Sequence, residues 1–288
     1  MLGRKTEGSV VCPSCGLLVG VNDDKCLNCG RNNPGLWGFG PMIAGLGRGD
    51  SSNGLVQLIV VSCAVIYALT LIVDPDGIQM SGMFNFLSPG IEGTFLFGAS
   101  GAIPVFRFGR WWTVLSASWL HGSLLHILFN MMWVRNLAPA VIDFYGVSRM
   151  VIIYTISGVV GFFASSVAGH WFVFMPSVLR GAGFTVGASA AIFGLLGALV
   201  YYGRRTGSSM VGQQARGFAL LLFIFGFVMP SIDNWAHLGG FVGGYFSSMW
   251  FDPLKPERLD HMVGALACLG LTALAIVLSV FHGIQFIG

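Results

Sequence analysis

Seven apolar runs, most of them close to the roughly 20 residues that a helix needs to cross a bilayer, dominate this sequence. They are Leu55 to Val73, Leu120 to Val141, Met150 to Ala168, Phe184 to Tyr202, Gly217 to Met229, Asp233 to Trp250 and Met262 to Phe281. The fifth is short, and the second carries His121, His126 and Asn130. Composition points the same way. With 55% hydrophobic and 9% charged residues and a mean hydropathy of +0.76, there is too little polar surface for a water-soluble domain of 288 residues. The expected fold class is an all-α polytopic membrane protein. No cleavable signal pattern is expected, because the first long apolar run starts after residue 54. The net charge of +3 is small and scattered, so no nucleic-acid partner is expected.

The first two spans are joined by a long connection rich in Phe and Gly. Its segment Thr94 to Phe108 is apolar but broken at Pro104, which predicts an interfacial or re-entrant stretch rather than a span. Counting this segment as a span would invert every later loop, so the basic residues test the choice. With the N-terminus inside, Arg4, Lys5, Lys25, Arg31, Arg48, Arg135, Arg149, Arg204, Arg205, Arg216, Lys255 and Arg258 fall on the cytoplasmic side, and only Arg107, Arg110 and Arg180 outside. That bias predicts a multi-pass plasma (inner) membrane protein with spans two, four and six running from outside to inside.

This topology places His126, Ser189 and His237 at similar depth below the outer face. Ser189 is expected about five residues into span four, roughly 7 Å down. Polar groups inside a bilayer are costly unless they face the bundle interior or water, so three at one depth are functional candidates. Gly240 and Gly244 share the His237 face, and Ala190, Gly194 and Gly197 form a second small-residue stripe. Two such helices can pack closely enough for Ser189 Oγ to reach an imidazole. His126 and Asn130 face one way, and His121 is expected about 140° round the same helix.

Three elements, HGSLLHILFN (His121 to Asn130), GAS (Gly187 to Ser189) and AHLGGFVGG (Ala236 to Gly244), resemble the rhomboid intramembrane serine proteases in type and order. The resemblance covers about residues 55 to 252. It implies a six-helix core, to which the seventh apolar run adds a C-terminal transmembrane helix, with Ser189 as nucleophile and His237 as general base. It also implies an oxyanion hole from His126, Asn130 and the Ser189 backbone N–H. The chemistry fits these residue types: a hydroxyl needs a base to become a nucleophile, and a Ser-His pair suffices in principle because the third member of a triad mainly orients the imidazole. No cofactor is expected for catalysis. The implied partners are transmembrane protein substrates and the lipid bilayer, with the active site opening to the outer face above the short fifth span.

Some positions depart from the family pattern. Ala190 follows the serine where glycine is commoner, and could crowd a substrate backbone. Where the family has a Trp-Arg pair in the first external loop, this chain has Trp112-Thr113, with Arg107 and Arg110 upstream. A second GASGA at Gly98 to Ala102 matches the serine motif more closely, but it precedes the histidine-rich span and runs into Pro104, so Ser100 is read as part of a folded loop. His121, His170, His261 and His282 are read as structural or loop-end residues. Haem-binding and proton-relay membrane proteins also use intramembrane histidines, yet neither requires GAS or the Gly240/Gly244 stripe. A catalytically inactive rhomboid-like protein that binds membrane helices is the alternative reading.

The N-terminus carries a separate signal. Cys12-Pro-Ser-Cys15 and Cys26-Leu-Asn-Cys29-Gly form two CxxC knuckles ten residues apart, able to close a tetrahedral thiolate site. A cytosolic location disfavours disulfides, so structural zinc in a small zinc ribbon is expected. The expected organisation is a zinc-ribbon-like module over 1–34, a glycine-rich linker over 35–54, the rhomboid core over 55–252 and the extra C-terminal helix over 253–288. Cys63 and Cys268 are read as packing residues.

Overall fold

The structure, a computed structural model, describes residues 5–39, 51–176, 179–229 and 232–286. Most of the expected glycine-rich linker, residues 40–50, lies outside them.

The long apolar runs become helices, even across Pro139 inside the second, since in a bilayer a helix satisfies its own backbone. Seven long helices are described: α1 Ser51–Val73, α4 Leu124–Tyr145, α5 Val147–Trp171, α6 Ser189–Thr206, α7 Ser209–Val228, α8 Asn234–Trp250 and α9 Leu259–Gly283. Between α1 and α4 lie only short elements, α2 Ile91–Phe97, a π-helical turn Ile103–Arg107, α3 Thr113–Ser116 and a 3-10 turn Ala117–Trp119. None is long enough to span, as the break at Pro104 predicts.

Several boundaries differ from expectation. The first helix starts at Ser51 rather than Leu55. The fifth span is not short; α7 runs for 20 residues and takes in Arg216, while Arg135 lies within α4 rather than in a loop. Five helices, α1, α4, α5, α7 and α9, are long and apolar enough to cross a membrane on length and composition alone. The two that are not, α6 with 18 residues and α8 with 17, carry the Ser189 and His237 candidates. Both are rich in glycine, and α6 is buried along nearly its whole length, so it meets other helices more than lipid.

The core is built by α4, α5 and α6, where Val134, Val141, Ile153, Leu195 and Leu196 are fully buried, with α1 adding Ile59 and Cys63. Glycine lets α6 and α8 meet backbone to backbone: a Cβ at Gly240 would collide with the Ala190 carbonyl, and one at Gly244 with the Gly194 carbonyl.

One end of the bundle is held by Arg149 at the start of α5. Its guanidinium donates to the carbonyls of Asp252, Lys255 and Pro256 and to His261 Nδ1, and its backbone N–H donates to Glu257. His261 thus has a structural part as an acceptor for Arg149. Arg205 at the end of α6 pairs with Asp252 at 3.1 Å, and the Leu259 N–H that opens α9 donates to the Pro13 carbonyl of the first CxxC knuckle. The N-terminal module itself is a two-stranded antiparallel sheet, β1 Ser9–Val11 with β2 Leu18–Gly20, in the register Val10 to Val19.

Candidate active site

The opposite end of the bundle gathers the N-termini of α4, α6 and α8. Helix α4 begins after Ser123, whose extended backbone leaves its hydroxyl free to accept the His126 N–H at 3.2 Å. The Gly122 backbone N–H donates to His126 Nδ1 at 3.3 Å. An imidazole nitrogen that accepts carries no proton, so this bond assigns the neutral ring's proton to Nε2. One turn further on, Asn130 is buried, and its Nδ2 has no hydrogen-bond partner among the described residues.

Both donors face the turn that leads into α6. Gly187 sits at φ +132°, and a Cβ there would lie 2.7 Å from His126 Nε2 and 3.4 Å from Asn130 Nδ2. Only glycine leaves that space open at that backbone angle. The turn is fixed from behind, because the Gly187 N–H donates to the Ala117 carbonyl at 2.9 Å. Thr185 and Ser100 exchange backbone hydrogen bonds of 2.8 and 3.0 Å, and Ala102 and Ile103 donate to Ala182 and Gly183. The GASGA segment around Ser100 is therefore a backbone brace for the residues preceding Ser189, and Ser100 is fully buried in it.

These bonds correct the expected position of Ser189. Residues 184–188 are extended or turned rather than helical, and Ser189 is the first residue of α6, not the sixth residue of a longer span. Its backbone N–H consequently has no intrahelical acceptor. The side chain is half-buried. Ala190 does not crowd the opening either; it is fully buried, with its methyl against Gly161 of α5.

His237 is the fourth residue of α8. Asp233 caps the helix by accepting the Ala236 N–H at 3.0 Å, and accepts the Ser165 hydroxyl at 2.5 Å on its other oxygen. Ser165 Oγ in turn accepts the Ala182 N–H, which links the α8 cap to the chain entering α6. The His237 ring is buried and stacks on Phe193 with centroids 4.2 Å apart and planes 16° from parallel. Phe193 lies four residues after Ser189, on the same face of α6. His237 Nδ1 has no partner among the described residues, and no hydrogen bond within 3.5 Å joins Ser189 to His237. The structure thus brings His126, Asn130 and the Gly187 turn together directly, and holds His237 over the Ser189 helix through Phe193.

His121 is not on the His126 helix. It precedes α4, is fully buried, and meets the His126 ring edge-on with centroids 5.3 Å apart. Reasoning from sequence missed Gly122, Ser123, Ala117, Asp233 and Ser165. The Ser-x-x-His spacing at 123–126 is a cap signal inside a motif already noticed; the other contacts span too many residues to read from spacing.

In the N-terminal module all four sulfurs lie within 4.8 Å of one another, with 3.8 Å between Cys12 and Cys29 and 3.6 Å between Cys15 and Cys26. A tetrahedral zinc with bonds of about 2.3 Å separates its sulfurs by about 3.8 Å, whereas a disulfide needs about 2.05 Å. The two knuckles repeat one backbone pattern. Cys12 and Cys26 donate to the carbonyls of Leu17 and Arg31, and Gly16 and Gly30, both with positive φ, donate back to Cys12 and Cys26. A backbone hydrogen bond from Leu17 leads the causes that lower the Cys15 thiol to about 6. At Cys29 the Arg31 backbone opposes the shift, but desolvation and the other three sulfurs push it up to about 11. Four thiolates this close require a cation to coexist.

A family model for the rhomboid domain matches residues 108–254, slightly over half of the chain and inclusive of His126, Asn130, Ser189 and His237. Three curated relatives illustrate the range of similar proteins. "Rhomboid protease GluP" of Bacillus subtilis is 34% identical over 143 residues, covering 49% of this chain and 26% of that protein. "RHOMBOID-like protein 5" of Arabidopsis thaliana is 30% identical over 214 residues, or 67% of this chain and 65% of the relative. "Inactive rhomboid protein 1" of Bos taurus is 31% identical over 220 residues, or 72% of this chain and 22% of the relative. The chain spans less than two thirds of the length of each. With the matched segment, the polytopic helical fold and these relatives in agreement, this chain belongs to the rhomboid family.

Proposed function

We propose that the chain is an intramembrane serine endopeptidase that hydrolyses peptide bonds in or near the membrane-spanning segments of other proteins. The observation that carries this reading is the convergence of two donors, His126 Nε2–H and the unpartnered Asn130 Nδ2–H, on the Gly187 turn two residues before Ser189. Ser189 Oγ attacks the scissile carbonyl while His237 takes its proton. The oxyanion is met by His126, Asn130 and the Ser189 N–H at the open start of α6. Protonated His237 then gives its proton to the leaving amine, and water repeats the sequence on the acyl-enzyme. No carboxylate is needed to orient the imidazole, because the stack on Phe193 fixes its plane. Each oxyanion donor is worth roughly 3 to 4 kcal/mol in related chemistry.

The second reading, a rhomboid-like protein that binds membrane helices without cutting them, is favoured by one observation: no hydrogen bond joins Ser189 to His237. Cleavage of a model transmembrane substrate in proteoliposomes separates the two. Turnover by the wild type and none by Ser189→Ala supports the protease; a folded wild type that binds the substrate and leaves it intact supports the second reading.

Cys12, Cys15, Cys26 and Cys29 are proposed to hold structural zinc, which when bound compensates the charge of the thiolates and closes the two knuckles. Their sulfur spacing supports this. The basic residues Arg149, Arg204, Arg205, Lys255 and Arg258 share the knuckles' end of the bundle, which supports a cytoplasmic N-terminus and an active site at the outer face of the plasma membrane.

A further inference from the structure

Arg110, in the connection between α1 and α4, is fully buried, and desolvation lowers it to about 10, so it remains charged at neutral pH. Its two terminal nitrogens point to different elements. Nη1 donates to the Phe95 carbonyl of α2 at 2.7 Å, and Nη2 to the Ser279 carbonyl of α9 at 2.8 Å, while the guanidinium lies 4.0 Å over the Phe95 ring. Trp112 Nε1 donates to the Ser279 hydroxyl at 3.0 Å. These contacts cross more than 160 positions of sequence and lead to a helix outside the segment that matches the family.

Two short routes run from this junction to Ser189. The Arg110 carbonyl accepts the Thr113 backbone N–H at 3.1 Å and its hydroxyl at 2.8 Å, Thr113 Oγ1 lies 3.4 Å from Ser100 Oγ, and Ser100 is bridged to Thr185. In the second, Trp112 opens α3, Ser116 at its end bonds the Gly98 carbonyl, and the next residue, Ala117, accepts the Gly187 N–H. Both end on the extended segment whose geometry leaves room between Gly187, His126 and Asn130.

We propose that Arg110, Trp112 and Ser279 are positioning residues for the active site, through which the seventh helix holds the segment Thr185 to Gly187 in the shape that Ser189 chemistry requires. This rests on the reading of Ser189 as nucleophile. The Arg110 fork matters because it bridges two carbonyls on separate elements, which a lysine ammonium on a single flexible stem does not reproduce.

The test uses the full chain in detergent and in liposomes. Trp112→Phe and Ser279→Ala each delete the Trp112–Ser279 hydrogen bond, and the first keeps an aromatic ring at position 112. Each is expected to slow inactivation by a fluorophosphonate and to lower kcat by about fivefold, the size of one lost intramolecular hydrogen bond, with KM for the model substrate little changed. The double variant is expected to be no worse than either single one, because both remove the same bond. Hydrogen exchange of the peptide containing Thr185 and Gly187 gives a readout independent of catalysis, and it is expected to quicken in both variants. Unchanged exchange and unchanged reactivity in folded variants would overturn the proposal. Faster exchange in variants of a wild type that does not react with the probe would uphold the coupling while removing the protease reading.

Discussion

The Gly122 N–H donates to His126 Nδ1, and the opposite ring nitrogen, Nε2, is the atom that a Cβ at Gly187 would meet at 2.7 Å. One backbone hydrogen bond therefore decides which imidazole nitrogen is a donor and aims it at the turn before Ser189. His126→Ala and Asn130→Ala are each expected to lower kcat by about tenfold to a thousandfold with a smaller change in KM, because an oxyanion donor acts on the transition state more than on bound substrate. Steady-state kinetics on a model transmembrane substrate measures this. A rise in KM at constant kcat would assign these residues to substrate binding instead.

Two small-residue substitutions near Ser189 are expected to behave oppositely. Gly187→Ala places a methyl against His126 at a backbone angle of +132° that alanine rarely adopts, so activity should be lost. Ala190→Gly removes a methyl that is buried against Gly161 and should cost stability, about 1 kcal/mol from helix propensity, while leaving kcat within a few-fold. Thermal unfolding and turnover measured on both variants check the contrast. A large loss of kcat in Ala190→Gly at unchanged fold would mean that the alanine faces the chemistry.

Asp233 ties α8 to the chain entering α6, since one oxygen caps Ala236 and the other accepts from Ser165. Asp233→Ala should destabilise the protein by about 1 kcal/mol or more through the lost cap and leave the Ser165 hydroxyl without its acceptor. Asp233→Asn keeps an oxygen for Ala236 and should recover most of that loss. Equal melting temperatures for the wild type and Asp233→Ala would contradict the assigned cap.

The cysteine module should respond to pH. A thiol held down at about 6, as Cys15 is, contributes stability that is present above its ordinary value and is lost as the pH falls through about 6. Cys29, pushed up to about 11, keeps its proton at neutral pH until a metal binds its sulfur and displaces the proton to water. Zinc uptake should release protons, and zinc affinity should fall steeply from pH 8 to pH 6 in a competition titration. Cys12→Ser should lose the metal, whereas Ser189→Ala should keep it. Affinity that does not vary with pH would rule out ligation by thiolates.

Much of this fold was legible because hydrophobicity at helical length is a strong local signal. The seven helices follow the apolar runs, and the Gly240/Gly244 stripe predicted a close backbone approach that the Ala190 and Gly194 carbonyls now account for. The start of α6 was not legible. Residues 184–188 are as apolar as the helix that follows, and what keeps them extended is pairing with Ser100, some 85 positions away, together with a positive φ at Gly187. The same limit hid Arg110. From sequence it counted only as one of three basic residues on the outer side, and the partners that bury it come from α2 and from the far end of the chain. His121 was misplaced for a local reason, since Ser123 caps α4 two residues after it and puts it outside the helix.

The central claim is that Ser189 is a nucleophile activated by His237. The most direct measurement is reaction of the purified, folded protein with a fluorophosphonate, followed by peptide mass spectrometry to locate the adduct. The wild type should carry one adduct on Ser189, Ser189→Ala should carry none even though Ser100 remains, and His237→Ala should react far more slowly. A folded wild type that stays unmodified, or an adduct that persists at the same rate in Ser189→Ala, would contradict the account.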